Sequence, residues 1–222
     1  MQEDEQVASG GKAVAEEERR AVDRLTFFSD AVVAIAITLL AIDLPVPRGL
    51  TVATFWTSVR ENSGSYFAFV ISFLVIAGAW SHHHDIFRSA TKLDSRLRQL
   101  NMTWLMMIIL TPFATRLLTP LGQQTLSAHA LRFGFYALLQ ALESGVLLAI
   151  LRHMLTRQQA ADTPKTTVAD LTAQSAALIA GFGVSIPVFF VTSFAWILWI
   201  AVPMFGDRTV RFLLPASRGR KR

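Results

Sequence analysis

The chain has 222 residues, 52% of them apolar and 17% charged, with a mean hydropathy of +0.42. This balance is typical of membrane proteins with several spans and excludes an ordinary soluble domain. The chain has no cysteine, which rules out a disulfide, a thiolate nucleophile and a cysteine-ligated zinc site.

Residues 1–21 carry six acidic side chains and a short Ser-Gly-Gly patch. Such a segment has too little apolar surface to fold alone, so we expect a disordered cytosolic tail. The predicted organisation continues with one membrane domain at residues 22–207. A basic cytosolic tail follows at residues 208–222.

The first predicted span begins at Arg24 and ends near Leu44, because two prolines follow directly. A helix here has one bulky apolar face with a single hydroxyl on it. We name the predicted helix of this span α1 and this face the α1 stripe; the stripe residues are Ile35, Thr38, Leu39 and Ile42. On spacing alone, such a stripe in a membrane helix indicates a lipid-facing or packing surface.

Five further spans are predicted, at residues 62–79, 99–115, 131–151, 168–183 and 186–206. The last two come from a run of 36 uncharged residues, Leu171 to Gly206, which is too long for one span of about 20 residues. The glycines and the proline at residues 181–187 are the expected break between them. The sequence therefore predicts an all-α membrane protein with six transmembrane helices.

Basic residues are distributed unequally between the two sides of this topology. Lys and Arg number 17 on the side of the two termini and 4 on the other. The positive-inside rule then places both termini in the cytosol of a multi-pass inner-membrane protein. The net charge of +5 reflects this topology and attraction to the anionic lipid bilayer, so it requires no nucleic acid partner.

Three short motifs resemble a known family. The pattern R-x-x-x-F-S-D at residues 24–30 is similar to the opening signature of the transmembrane protein 175 family of potassium channels, bacterial branch. The pattern W-x-x-H at residues 80–83 resembles the pattern that follows the family's second helix, and Asn101 followed by Pro112 resembles its third helix. The motif residues are Arg24, Phe28, Ser29, Asp30, Trp80, His83 and Asn101.

The resemblance implies a six-helix subunit that assembles as a homotetramer, with the first helix lining a central pore for potassium ions. It implies that Ile35 and Thr38 lie in the narrowest region, which Leu39 and Ile42 continue. It also implies no cofactor besides the permeant potassium ion. We expect no enzymatic activity, because no nucleophile with a base, phosphate loop or pair of catalytic carboxylates lies on an aqueous face. From the predicted topology, we expect the motif residues to fix the lining helix to its neighbours, with Arg24, Trp80, His83 and Asn101 as hydrogen-bond donors to Asp30.

Two other functions remain open from the residues themselves. A proton- or ion-coupled transporter could use Asp30, Glu143 and the histidines as a relay, although no internal repeat is visible. A non-conducting membrane scaffold would use the α1 stripe as a packing surface.

Three polar features have no assigned role. The run His82, His83, His84 and Asp85 offers two metal ligands at helical spacing but no third, and we expect a structural His83 with solvated neighbours. Glu143 lies within the fourth span, where an acid needs a partner, and Gln140 is one candidate. Asp43, at the outer end of the first span, either concentrates cations at a pore mouth or lies among lipid headgroups.

Reporter fusions test the topology. A fusion after Arg222 is expected to report the cytosol, and a fusion within residues 122–128 the opposite side, because the basic residues flank alternate ends of the spans. The same location for both fusions would contradict six spans.

Overall fold

The structure is a computed structural model that describes residues 2–119, 125–157, 159, 165–192, 194–199 and 201. Within these residues the fold is all-helical, as predicted. The helices are α1 (Gln2–Ile42), α2 (Val52–Glu61), α3 (Ser63–Phe87), α4 (Ser95–Leu118), α5 (Leu126–Thr156) and α6 (Lys165–Phe189). A short 3₁₀ turn at Ala195–Ile197 follows α6.

In the described part of the chain, five helices are long and apolar enough to cross a membrane: α1, α3, α4, α5 and α6. They correspond to the first five predicted spans. The expected break at residues 181–187 is wrong, because α6 continues through it to Phe189. A helix in hydrocarbon keeps its backbone hydrogen bonds, so its glycines need not end it. Of the sixth predicted span at 186–206, the first residues belong to the end of α6, while residues 193, 200 and 202–206 lie outside the described residues, as does the basic tail at 208–222.

The long helices alternate in direction. Ser29 contacts Asn101 and Asp43 contacts Arg116, so α1 and α4 run parallel. Asp30 contacts Trp80, while the Pro45 carbonyl accepts a hydrogen bond from Tyr66, so α3 runs antiparallel to α1. One end of the bundle therefore holds the start of the α1 span, the end of α3 and the start of α4.

Helix α1 is longer than the sequence predicts. It includes residues 2–21, where we expected a disordered tail. Lys92, between α3 and α4, forms an ion pair with Glu18 of α1 at 3.2 Å, and Arg20 pairs with Glu16 one turn away at 2.6 Å. These side-chain pairs support the helix beyond the apolar span.

Helix α3 extends beyond the predicted span of 62–79 and continues to Phe87. Its last turns enter the core instead of forming a polar connector. His82, expected to be solvated, is fully buried, and its Nε2 lies 3.4 Å from Ser175 Oγ of α6.

Buried hydroxyl groups join the middle of the bundle. Thr115 of α4 donates a hydrogen bond to Ser72 of α3 at 2.7 Å, and Ser72 donates to the Tyr136 hydroxyl of α5 at 3.1 Å. Gln140 of α5 donates to Thr111 of α4 at 3.2 Å. Such interhelical bonds are an important source of helix association in a bilayer, where lipid is as apolar as the side chains.

Asp94 joins α4 to the end of α5. Its Oδ1 caps α4 by accepting from the Leu97 N–H at 2.7 Å, and its Oδ2 accepts from His153 Nε2 and Gln159 Nε2, each at 2.8 Å. Burial alone would raise the Asp94 pKa, but the hydrogen bonds from Leu97, Gln159 and His153 outweigh it and lower the pKa to about 2. The ionised carboxylate therefore stabilises this end of the bundle.

The lowered pKa predicts an acid dependence of stability. The contribution of Asp94 is complete above its unfolded pKa of about 3.9 and is lost as pH falls through the folded value of about 2. Asp94→Asn is expected to unfold at a lower temperature at pH 5, with the difference from the unsubstituted chain shrinking between pH 4 and pH 2. Thermal unfolding in detergent measures this, and a difference that stays constant with pH would contradict it.

Candidate pore-lining helix and its anchoring network

The α1 stripe faces away from the helix bundle. Ile35 is 59% exposed, Leu39 42% and Ile42 75%, and Thr38 lies exposed among them. The Thr38 hydroxyl donates a hydrogen bond to the Ile35 carbonyl at 2.7 Å, so its oxygen remains available as an acceptor on this face. Phe28 extends the exposed surface towards the start of the span.

The opposite face of α1 is buried. Its residues recur every three or four positions, as on one side of a helix: Val22, Leu25, Ser29, Val33, Ala36 and Leu40. They pack against α3 and α4. The packing of this face fixes the rotation of α1, and with it the direction in which the stripe points.

Asn101 of α4 joins three helices through buried hydrogen bonds. Its Nδ2 donates to Ser29 Oγ of α1 at 3.0 Å, and its Oδ1 lies 2.8 Å from His83 Nε2 of α3. Because Oδ1 can only accept, His83 carries its proton on Nε2. Ser29 in turn donates to the Leu25 carbonyl at 2.9 Å. All three side chains are fully buried.

Aromatic rings hold His83 in place from both sides. Its imidazole stacks on Trp104 of α4, with ring centroids 4.1 Å apart and planes 13° apart. Phe87 stacks on the other side at 4.3 Å. The two rings fix the plane of the imidazole, so Nε2 stays directed at Asn101.

The structure does not show the expected hydrogen bond from Arg24 to Asp30. Asp30 accepts a hydrogen bond from Trp80 Nε1 at 2.8 Å, as expected for one of the four donors. His83 and Asn101 instead bond to each other. Among the described residues, Arg24 forms no hydrogen bond or ion pair with Asp30; Arg24 is exposed one to two turns earlier on α1.

The other end of the α1 span is held by a separate set of contacts. Asp43 pairs with Arg116 at the end of α4, and the Tyr66 hydroxyl donates to the Pro45 carbonyl at 2.8 Å. Asp43 is thus paired within the chain, a partner that the sequence did not indicate. Both ends of the span are anchored on the side opposite the stripe.

Glu143 of α5 also has a partner that sequence reasoning missed. It is buried and accepts a hydrogen bond from Trp104 Nε1, whereas the suggested Gln140 bonds to Thr111. The same Trp104 ring stacks on His83. The sequence showed only that an acid within a span needs a partner. It did not point to Trp104, because 39 residues separate Trp104 from Glu143.

No group of three or more His, Cys, Asp or Glu side chains is placed to hold a metal ion within the described ranges. The arrangement is a set of apolar membrane-length helices, one of which presents an exposed stripe while its opposite face is held by polar bonds. These features define a multi-pass α-helical membrane protein.

Comparison with known proteins finds a family model that matches the first part of the chain. A family model described as "Endosomal/lysosomal potassium channel TMEM175" matches residues 24–112. That range begins at the arginine of the first motif and includes α3 and most of α4. Residues 24–112 are therefore similar to the transmembrane protein 175 family, which confirms the resemblance read from the motifs.

Curated relatives match about half of the chain. A protein of Streptomyces collinus named a potassium channel is 37% identical over 106 residues, which are 48% of this chain and 52% of the relative. Another potassium channel, from Chamaesiphon minutus, is 38% identical over 103 residues, 46% of this chain and 51% of the relative. The matches thus span about half the length of these relatives.

Solved structures extend the likeness of fold beyond the family segment. A structure titled as a lysosomal potassium-selective channel TMEM175 homolog from Chamaesiphon minutus superposes with a TM-score of 0.69 at 25% identity, covering 89% of this chain and 100% of that one. A variant of the potassium channel MtTMEM175, in complex with a nanobody fusion protein, gives a TM-score of 0.62 at 19% identity over 86% of this chain and 92% of that one.

The buried network predicts a large cost for removing its central amide. Asn101→Leu leaves the buried His83 Nε2–H without an acceptor, at roughly 1–3 kcal/mol, and removes the donor to Ser29, which keeps its own bond to the Leu25 carbonyl. Gln99→Leu is the matched control, because it removes an exposed amide two residues earlier on the same helix. Thermal unfolding in detergent should show a lower midpoint only for Asn101→Leu. Equal midpoints for the two variants would mean that the network does not hold α1.

Proposed function

We propose that the chain is the subunit of a cation channel with a potassium-selective, leak-type conductance, whose pore is lined by the stripe of α1. The observation that carries the proposal is the exposure of Ile35, Leu39 and Ile42 on a helix whose opposite face is fully packed. The curated relatives named potassium channels support the choice of ion.

A pore needs several copies of α1, because one chain supplies one stripe. We propose a homotetramer around a central axis, with the buried side of each α1 held by its own α3 and α4. The polar network of Asn101 then acts in positioning and not in conduction. Its placement behind the stripe, on the far side of the helix, supports this role.

The stripe has the chemistry for closing a pore and for contacting an ion. Ile35, Leu39 and Ile42 recur at intervals of about one turn, or roughly 5–6 Å along the axis. Rings of these side chains would form apolar constrictions that close by dewetting. A ring of Thr38 oxygens could replace part of the hydration shell of a potassium ion.

We further propose that the protein lies in the cell inner membrane with both termini in the cytosol. The alternating helices bring the end of α3, the start of α4 and the end of α5 to one side of the bundle. Basic residues concentrate on this side. In a bacterial inner membrane, such a distribution marks the cytosolic side.

The stripe gives the direct test of conduction. Ile35→Asn is expected to hydrate a constriction, and so to raise cation flux while weakening discrimination between potassium and sodium. Thr38→Ala is expected to lower that discrimination without opening the constriction. Recordings in planar bilayers under a potassium gradient measure both quantities.

Leu40→Asn is the control on the other face of α1. Leu40 is 4% exposed, so a polar side chain there should impair folding at about 2–5 kcal/mol and leave little assembled protein. Flux is compared in liposomes that contain equal amounts of assembled protein. Equal flux through the unsubstituted chain, Ile35→Asn and Ile42→Asn would favour the scaffold, with the stripe as a packing surface.

A further inference from the structure

Asp43 and Arg116 form an ion pair at one end of the α1 stripe. Asp43 directly follows Ile42, the last stripe residue, which is 75% exposed. Arg116 lies in the last turn of α4, and its Nη2 donates to Asp43 Oδ1. In the proposed tetramer, four copies of this pair surround one end of the ion pathway, which we call the Asp43 mouth.

The pair is accessible from outside the bundle. The Arg116 side chain is 65% exposed and the Asp43 side chain 26%. Both line a cavity of about 490 Å³ at the ends of α1 and α4 and the start of α3, together with Asn62, Ser65 and Thr119. Exposed charges act on ions in the surrounding water over about a Debye length, or roughly 8–10 Å.

Positive charge exceeds negative charge around the Asp43 mouth. The two connections at this end, residues 43–62 and 116–132, contain four arginines but only two acids, Asp43 and Glu61. Each chain therefore has an excess of two positive charges there, which repels cations. Asp43 offsets this repulsion where it matters most, because it contacts the arginine that adjoins the stripe.

We propose that Asp43 keeps this mouth accessible to hydrated monovalent cations by neutralising Arg116. The inference rests on the proposed pore and deepens it, since it assigns an electrostatic role to two residues outside the α1 stripe. Without Asp43, four unpaired arginines would surround the mouth. Without Arg116, four unpaired carboxylates would surround it and attract cations.

Two single substitutions separate this electrostatic role from a structural one. Asp43→Asn and Arg116→Gln both remove the ion pair, so a purely structural role changes the current in the same direction in both variants. An electrostatic role changes it in opposite directions. For four charges about 10 Å from the pore axis, the local cation concentration changes about two- to threefold at 0.15 M salt and about five- to tenfold at 0.01 M.

Potassium currents in oriented planar bilayers, with equal amounts of assembled protein, measure this effect. For potassium entering from the Asp43 mouth, the current should fall in Asp43→Asn and rise in Arg116→Gln. Both differences should grow as the potassium chloride concentration is lowered from 0.15 M to 0.01 M. The double variant should carry nearly the current of the unsubstituted chain, because it lacks both charges.

Arg88→Gln is the matched control at the other end of the bundle. Arg88 has a 73% exposed side chain, and its Nη1 lies 4.0 Å from the carboxylate of Asp85. It is thus a second exposed arginine with an acidic neighbour. Its removal should leave the current that enters from the Asp43 mouth unchanged, since the charge lies many Debye lengths away across the membrane.

A second measurement does not depend on conduction. The chain has no cysteine, so a single cysteine at Val46, which is 80% exposed three residues after Asp43, reacts alone with thiol reagents. The rate of modification by a cationic reagent is divided by that of an anionic reagent of similar size. This ratio should fall with Asp43→Asn and rise with Arg116→Gln.

Currents that change in the same direction in the two single variants, or ratios that neither substitution changes, would overturn the proposal. If the ratios follow the expected order in a chain that carries no current, the electrostatic role of Asp43 is supported and the proposed conduction is contradicted.

Discussion

The position of α1 depends on one buried amide. Asn101 donates to Ser29 and accepts from His83, so a single side chain of α4 joins α1 and α3. In a bilayer, where lipid is as apolar as the side chains, interhelical hydrogen bonds act together with packing, so the bonds of Asn101 favour the same rotation of α1 as the packing of its buried face. The two rings that stack on His83 keep its proton directed at Asn101. The exposed stripe follows from this constraint, because it is the face left over when Ser29, Val33 and Leu40 are packed.

The anchors are arranged along the whole span. Asp30 and Trp80 bond near the level of the amide, and Asp43 with Arg116 holds the other end. Trp104 connects the amide network to Glu143 of α5, since its ring stacks on His83 while its N–H bonds to the acid. A buried carboxyl in lipid is stable only with such a partner. The polar residues of the spans therefore hold the helices of the bundle in place. The surface of α1 that faces away from the bundle has almost no polar residues.

The positions of most helices and the grouping of the motif residues could be predicted from sequence, because they follow from patterns of neighbouring residues. Apolar runs of membrane length indicated the helices, and the helical period placed Ile35, Thr38, Leu39 and Ile42 on one face of α1. The motif residues at 29, 80, 83 and 101 do cluster. The predictions that were wrong or absent concern contacts between residues far apart in the sequence and the positions of helix ends. Glycine and Pro187 suggested a break in α6 that the helix passes through, and His82 was expected in water although α3 carries it into the core. Nothing in the sequence indicated that Arg116 is the partner of Asp43.

The central claim is that the stripe of α1 faces an ion pathway, and cysteine accessibility tests it most directly because the chain contains no cysteine of its own. Single cysteines at Ile35, Thr38 and Ile42 are compared with single cysteines at Val33 and Leu40, in bilayers with a potassium gradient. A positively charged thiol reagent added from the water phase should reduce the current through the three stripe variants and leave the other two unchanged. Unchanged current at all three stripe positions, or inhibition at Val33 and Leu40 instead, would contradict the account.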